Sequence, residues 1–290
     1  MKFLTLLNKP EYFYQPKLII KKIWGQALIP GDKICTLSWG DQINIRPTEN
    51  IGKSILHTQI YDLAVTEAIY RLCKEGDTVI DAGANIGYTS LLMLHRIGTT
   101  GRLLAFEPHP YIFKKLESNI RLNNYKNHKL YNIGLSNQSG KAKLVIPNYF
   151  NENEGVSFIA DDDSNNAESI EIDIQQLDEI LEESSQNVKL LKIDVEGHEL
   201  KVLEGAGKLI SKQLIENILF ECNHENKIIV EFLESYGYKV FRLDKTFAKI
   251  KLSLPSSKNE NPSWEPINYL ATHKAPEIKE LFNRLGYLSL

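Results

Sequence analysis

Between residues 76 and 272, short apolar runs alternate with amphipathic stretches, and that rhythm leaves few architectures open. The run TVIDAG precedes a helical pattern over Tyr88–Arg96, and GRLLAFEP precedes Pro110–Asn123, where Ile112, Phe113, Leu116 and Ile120 share a face. VKLLKIDV leads into Glu199–Ile210, and IENILFEC into Ile228–Tyr236. HKLYNIGL, KAKLVI, SIEIDI, YKVFRL and PINYLATH read as further strands, and LDEILEE as a short helix. Strands interleaved with helices build a mainly parallel sheet covered on both faces, so the predicted class is α/β, doubly wound.

Residues 1–58 are expected to form an N-terminal extension, a helix followed by a hairpin in which KICTLSW and QINIRP flank Gly40–Asp41. Residues 59–290 then form the main domain, opening with a helix on which Tyr61, Ala64, Val65, Ala68, Ile69 and Leu72 recur before Gly76. Two segments break the rhythm: the Asn- and Asp-rich loop 148–167 and the proline-containing loop 253–266. A hydrophobic fraction of 42% and a net charge of −3 suit a globular chain without the basic footprint of a nucleic-acid binder. Cys35, Cys73 and Cys222 have no metal-type spacing and read as free thiols of a reducing compartment. MKFLTLLNKPEYF is too short an apolar run for a signal peptide, and no segment reaches the ~18 apolar residues of a membrane span, so a cytoplasmic location is expected. Tyr14–Gly25, YQPKLIIKKIWG, reads either as a basic amphipathic helix for peripheral contact with an anionic membrane or as a helix packed on its own domain.

GDTVIDAGANIGYTS places Asp81, Gly83, Asn85 and Gly87 between a strand and a helix. Ligands of open parallel sheets bind at such carboxyl ends, where the strand order reverses. Gly83 is expected to leave room for a ligand and Gly87 to allow tight entry into the helix. The spacing D-x-G-x-N-x-G is neither G-x-G-x-x-G nor a phosphate loop. Glu107 ends the next strand 24 residues beyond Gly83, where a carboxylate accepts hydrogen bonds from both ribose hydroxyls of an adenosine ligand. A second carboxylate, Asp81, disfavours a pyrophosphate and suits a donor carrying an ammonium group. S-adenosylmethionine is such a donor.

DAGANIGYTS, AFEPHPYIFKKLESNIRLNN, GLSNQSGKAKL and above all KIDVEGHELKVLEGA resemble the FkbM-type S-adenosylmethionine-dependent methyltransferases, over roughly Gly76–Asn223 and more weakly NYLAT. The resemblance implies the Rossmann-like class I methyltransferase fold, a seven-stranded sheet with helices on both faces and an antiparallel edge hairpin, for which YKVFRL and PINYLATH are placed. It implies an O-methyltransferase acting on a hydroxyl of a sugar, glycan or secondary metabolite. It also puts Leu135 and Ser136 near the adenine, Tyr61 beside the cofactor, and Asp194, Glu196, His198, Glu221, Asn223 and His224 on the acceptor side. His198 is the first choice as general base, because histidine titrates near neutral pH. Glu196 would orient the base or bind sugar hydroxyls. Asp194, a charge at the tip of an apolar strand, needs a partner: the cofactor's amino group, the acceptor or a metal. Asp194, Glu221 and Asn223 are oxygen ligands suited to Mg²⁺, though no compact metal motif is present. The rival readings are an NAD-dependent oxidoreductase on the same kind of sheet and a non-catalytic module that keeps the cofactor pocket.

Overall fold

The computed structural model describes residues 10–14, 31–147, 157–159, 168–181, 187–222, 226–257 and 267–290. Its strands are β1 (Lys33–Thr36), β2 (Gln42–Ile45), β3 (Thr78–Ala82), β4 (Arg102–Phe106), β5 (His128–Tyr131), β6 (Gly134–Leu135), β7 (Gly140–Val145), β8 (Phe158–Ile159), β9 (Ser169–Gln175), β10 (Val188–Ile193), β11 (Ile215–Glu221), β12 (Lys239–Lys245), β13 (Ile250–Ser253) and β14 (Asn268–Thr272). Its helices are α1 (Pro10–Tyr14), α2 (Asn50–Thr58), α3 (Leu63–Leu72), α4 (Tyr88–Ile97), α5 (Pro110–Leu122), α6 (Leu177–Ile180), α7 (Glu199–Glu204), α8 (Gly207–Ser211), α9 (Asn226–Ser235) and α10 (Ala275–Asn283).

The main sheet has the order β13-β12-β14-β11-β10-β3-β4-β5. The five strands from β11 to β5 are parallel, while β14 runs antiparallel to both β11 and β12. The sheet therefore has eight strands among the described residues, one more than expected. The extra strand is β13, which turns back on β12 through Thr246–Lys249 and takes the edge expected for the YKVFRL–PINYLATH pair. β3 shows why its run is so apolar: Val79 belongs to the core on one face, Ile80 and Ala82 to the core on the other. The chain moves outward from β3 to β4 and β5, then returns to β10 on the other side of β3. The switch in strand order thus lies between β3 and β10.

Two elements read as continuous are interrupted. HKLYNIGL ends in the main sheet at Tyr131 because the Asn132 amide turns to donate to the carbonyls of Glu107 (2.8 Å) and Pro108 (3.0 Å). The chain then joins a small sheet, β6-β9-β7-β8. Glu199–Ile210 splits into α7 and α8 at Gly205, where a Cβ would come within 1.9 Å of the Ser136 carbonyl oxygen. Asp178 caps the second piece by accepting from the amides of Lys208 (2.8 Å) and Leu209 (3.0 Å).

The hairpin β1–β2 pairs as predicted, and Leu37, Ile43 and Ile45 join the core that covers one face of the main sheet. Asn119 of α5 and the C-cap residue Asn123 bond its backbone at Asn44 and Gln42. The C-terminal segment is fastened to α3: the buried Glu67 carboxylate accepts from Arg71 (2.6 Å) and from the amides of Leu288 and Ser289 (both 3.0 Å). No helix among the described residues is long and apolar enough to cross a membrane. The basic segment after Tyr14 and most of loop 148–167 lie outside the described residues.

Candidate functional site

The loop from β3 to α4 has positive φ at Gly83 (+76°), Asn85 (+49°) and Gly87 (+94°). Gly87 opens α4 as expected, and a Cβ there would stand 2.8 Å from Leu116 Cδ1, so its smallness also serves packing against α5. Gly83 corrects the sequence reading. A Cβ on it would meet the Asp194 carbonyl oxygen at 1.8 Å, so its vacancy is filled by the chain leaving β10 and not by a ligand.

Asp81 is the second correction. Its side chain is fully buried, and Oδ2 accepts from Thr89 Oγ1 (2.7 Å) and Ser90 Oγ (2.6 Å). Oδ1 stands 3.2 Å from the ammonium of Lys192, its register partner on β10. Lys192 Nζ also donates to the Gly83 carbonyl at 2.8 Å and lies 3.5 Å from Asp194 Oδ2. Burial opposes the lysine's charge, but Asp81 and Asp194 outweigh it, and its pKa is raised. Asp81 is therefore a structural charge that Lys192 neutralises, closed off from any ligand.

Asp194 is its open counterpart, with a side chain 40% exposed. It looks into a cavity of about 250 Å³ that runs over the ends of β10, β11 and β12 and the start of β14. The first turn of α3 forms the opposite wall. Asp62 caps that helix by accepting from the amides of Ala64 (2.8 Å) and Val65 (3.1 Å), and it also accepts from Asn268 Nδ2 of β14 at 2.9 Å. Tyr61 lines the cavity just ahead of the cap, edge-on to Tyr88 with ring centroids 6.3 Å apart. Crowding by the wall, then the charges of Asp194, Asp62, Glu221 and Glu196, push its phenol pKa up.

Glu107 lies beyond β4, nearly buried, with Oε2 accepting from the Asn85 amide and Oε1 from the His109 amide, both at 2.9 Å. Burial outweighs these bonds and pushes its pKa up to about 7. Each carboxylate oxygen keeps a further lone pair, so the residue still fits a diol. His109 caps α5 through Nδ1, as a helix-start residue should. Leu135 belongs to the core, and Ser136, also buried, shares a 2.9 Å hydrogen bond with His198 Nε2.

That bond is the third correction. His198 is buried with its Nε2 taken by Ser136, so the ring ranked first as a base ties the start of α7 to the residue that follows β6. Glu199 braces the same turn by accepting from the amides of Gly197 (3.1 Å) and Val195 (3.3 Å). Glu196 projects from the turn at φ +52° with an exposed side chain. Partial loss of hydration, then the charges of Asp194 and Glu199, push its pKa up to about 7.

Glu221 lines the cavity, whereas Asn223 and His224 lie outside the described residues. Among the described residues no group of three His, Cys, Asp or Glu side chains gathers to hold a metal. Lys192, Asp62, Asn268 and Lys245 contribute to the site without having been singled out in the sequence. Lys192 did carry a signal, a charge inside the apolar run VKLLKIDV.

The profile of the Methyltransferase FkbM domain matches residues 81–240, more than half of the chain. Methyltransferase sdnD of Sordaria araneosa is 27% identical over 244 residues, covering 73% of this chain and 90% of its own. Methyltransferase 1 of Beauveria bassiana is 28% identical over 213 residues, covering 66% of this chain and 81% of its own. Among solved structures, an S-adenosylmethionine-dependent O-methyltransferase of Thermotoga maritima superposes with a TM-score of 0.45 at 14% identity, covering 87% of this chain and 80% of that one. With that profile match laid over the strand-order switch, the Glu107 shelf and the acid-lined cavity, the chain belongs to the FkbM methyltransferase family.

Proposed function

We propose that the protein is an S-adenosylmethionine-dependent O-methyltransferase whose acceptor is a hydroxyl of a sugar, glycan or secondary metabolite. The observation that carries this reading is the pairing of two carboxylates across the switch point. Glu107 stands beyond β4 with lone pairs for a ribose diol, and the half-open Asp194 faces the cavity beyond β10. A donor laid between them places its ribose on one and its ammonium on the other.

When bound, the donor supplies an electrophilic methyl on a sulfonium, which passes to the acceptor oxygen as the carbon–sulfur bond breaks and the hydroxyl proton leaves. The chain's share is to orient the hydroxyl and receive that proton. Glu196 is the proposed proton acceptor: it stands on the turn two residues beyond Asp194 with its carboxyl exposed to an incoming acceptor, and a pKa raised to about 7 suits a base. Asp194, held by Lys192, keeps its place for the ammonium. Tyr61 closes the cavity beside them and packs on the donor.

The test is incubation of the protein and deuterated-methyl S-adenosylmethionine with a cell extract, followed by mass spectrometry. A small glycosylated or hydroxylated molecule should gain one labelled methyl on oxygen. Label on nitrogen or carbon, or on protein or nucleic acid, refutes the reading.

A further inference from the structure

The cavity changes character along the sheet. At one end stands Asp194, just past β10, and at the other Lys245 closes β12. With β11 and β14 between them and strands ~4.8 Å apart, the two residues are on the order of 14 Å from each other. That is longer than a donor's amino-acid tail needs, and leaves room for an extended acceptor.

The far end is partly filled by the protein itself. Glu11 of α1 enters the wall and sets Oε1 3.5 Å from Lys245 Nζ, with both side chains largely shielded at 13% and 17% exposure. Its second oxygen, Oε2, is buried and has no hydrogen-bond partner among the described residues. A shielded carboxylate with one oxygen on a lysine and none on the other is poorly compensated for its lost hydration. α1 is only five residues long, and Tyr14 at its end makes an edge contact with Tyr287, centroids 5.7 Å apart. By contrast the backbone of Lys245 is held in the sheet by its pairing with Ile250 of β13, a constraint independent of α1.

We infer that Lys245 is a specificity residue that receives a carboxylate of the methyl acceptor, and that Glu11 occupies this position until the acceptor displaces it. The inference rests on the function proposed above and narrows its acceptor to an extended, acid-bearing molecule of the uronic-acid glycoside type. The acid group lies remote from the hydroxyl that is methylated. Glu11 supplies the same functional group that the acceptor brings, so the exchange leaves the charge of the far end unchanged.

Calorimetry of the full chain saturated with S-adenosylhomocysteine tests this, with cellobiouronic acid and neutral cellobiose as probes. The acid should bind at least tenfold more tightly than cellobiose. Lys245→Gln should abolish that preference, and Glu11→Gln should strengthen acid binding several-fold, both without changing the affinity for S-adenosylhomocysteine. Equal binding of the two sugars, no binding of either, a preference that survives Lys245→Gln, or weaker acid binding in Glu11→Gln overturns the inference. Should Lys245→Gln fail to fold, the Glu11→Gln arm decides alone. If S-adenosylhomocysteine itself does not bind, the proposed function falls as well. If it binds and the acid shows no advantage, only the present inference falls.

Discussion

Asp81 and Asp194 end neighbouring strands, and both reach the same lysine, yet they have opposite fates. Asp81 is fully buried, with two hydroxyls and Lys192 around it. Asp194 touches Lys192 at 3.5 Å and leaves 40% of its side chain to the cavity. A buried charge is tolerated only when it is paired and hydrogen-bonded, so the first acid serves the fold. The second is held in place by its lysine and keeps oxygen lone pairs for a ligand. One cation thus holds two carboxylates, one inside the core and one at the cavity.

The largest effect should come from breaking the buried side of this pair. Asp81→Ala leaves the buried Lys192 with the neutral Gly83 carbonyl and only the longer ionic contact to Asp194, and removing one partner of a buried pair costs about 3–5 kcal/mol. Chemical denaturation should show that loss. A midpoint within experimental error of the unsubstituted chain would mean that Asp81 is not the structural member.

On the open side, Glu196→Gln should lower kcat by roughly 10²–10⁴-fold without moving the melting temperature, the range expected for loss of a general base. In the unsubstituted enzyme kcat should rise as pH increases through about 7, where Glu196 ionises, and that rise should vanish in the variant. A variant with an unchanged pH profile moves the proton to another group.

Glu107 sharpens the comparison from the β4 side. Its folded pKa of about 7 exceeds that of a free carboxyl, so its protonated form stabilises the fold, and this contribution is lost as pH rises from about 4.5 through 7. Ribose hydroxyls favour the ionised form. Affinity for S-adenosylhomocysteine should therefore rise with pH, by up to about tenfold per unit below 7, and level off above it. Glu107→Gln should flatten this dependence in a calorimetric pH series.

The smallest effect is expected at His198. His198→Ala removes one buried hydrogen bond to Ser136 and should cost about 1–3 kcal/mol in denaturation, while methyl transfer stays within a few-fold. A loss as deep as that of Glu196→Gln would return the histidine to the chemistry.

These outcomes also mark what the sequence could express. The strand–helix rhythm, the hairpin at Gly40–Asp41, the entry glycine Gly87 and the shelf at Glu107 are local patterns, and each is found where the periodicity puts it. What linear reading could not see was contact between distant segments. Gly83 owes its smallness to the backbone of Asp194, and Asp81 owes its burial to Lys192, more than a hundred residues away. His198 has the right chemistry for a base, but its ring is buried against Ser136, 62 residues away in the chain. β13 carries its own local signal, the alternation in KIKLS, which runs directly into the proline-containing loop.

The most direct test is a calorimetric titration of Asp194→Asn with S-adenosylhomocysteine, beside a thermal melt of the same sample. The account predicts at least a tenfold loss of affinity, about 1.4 kcal/mol, with a melting temperature close to that of the unsubstituted chain. Undiminished affinity would contradict the assignment of the open carboxylate to the donor.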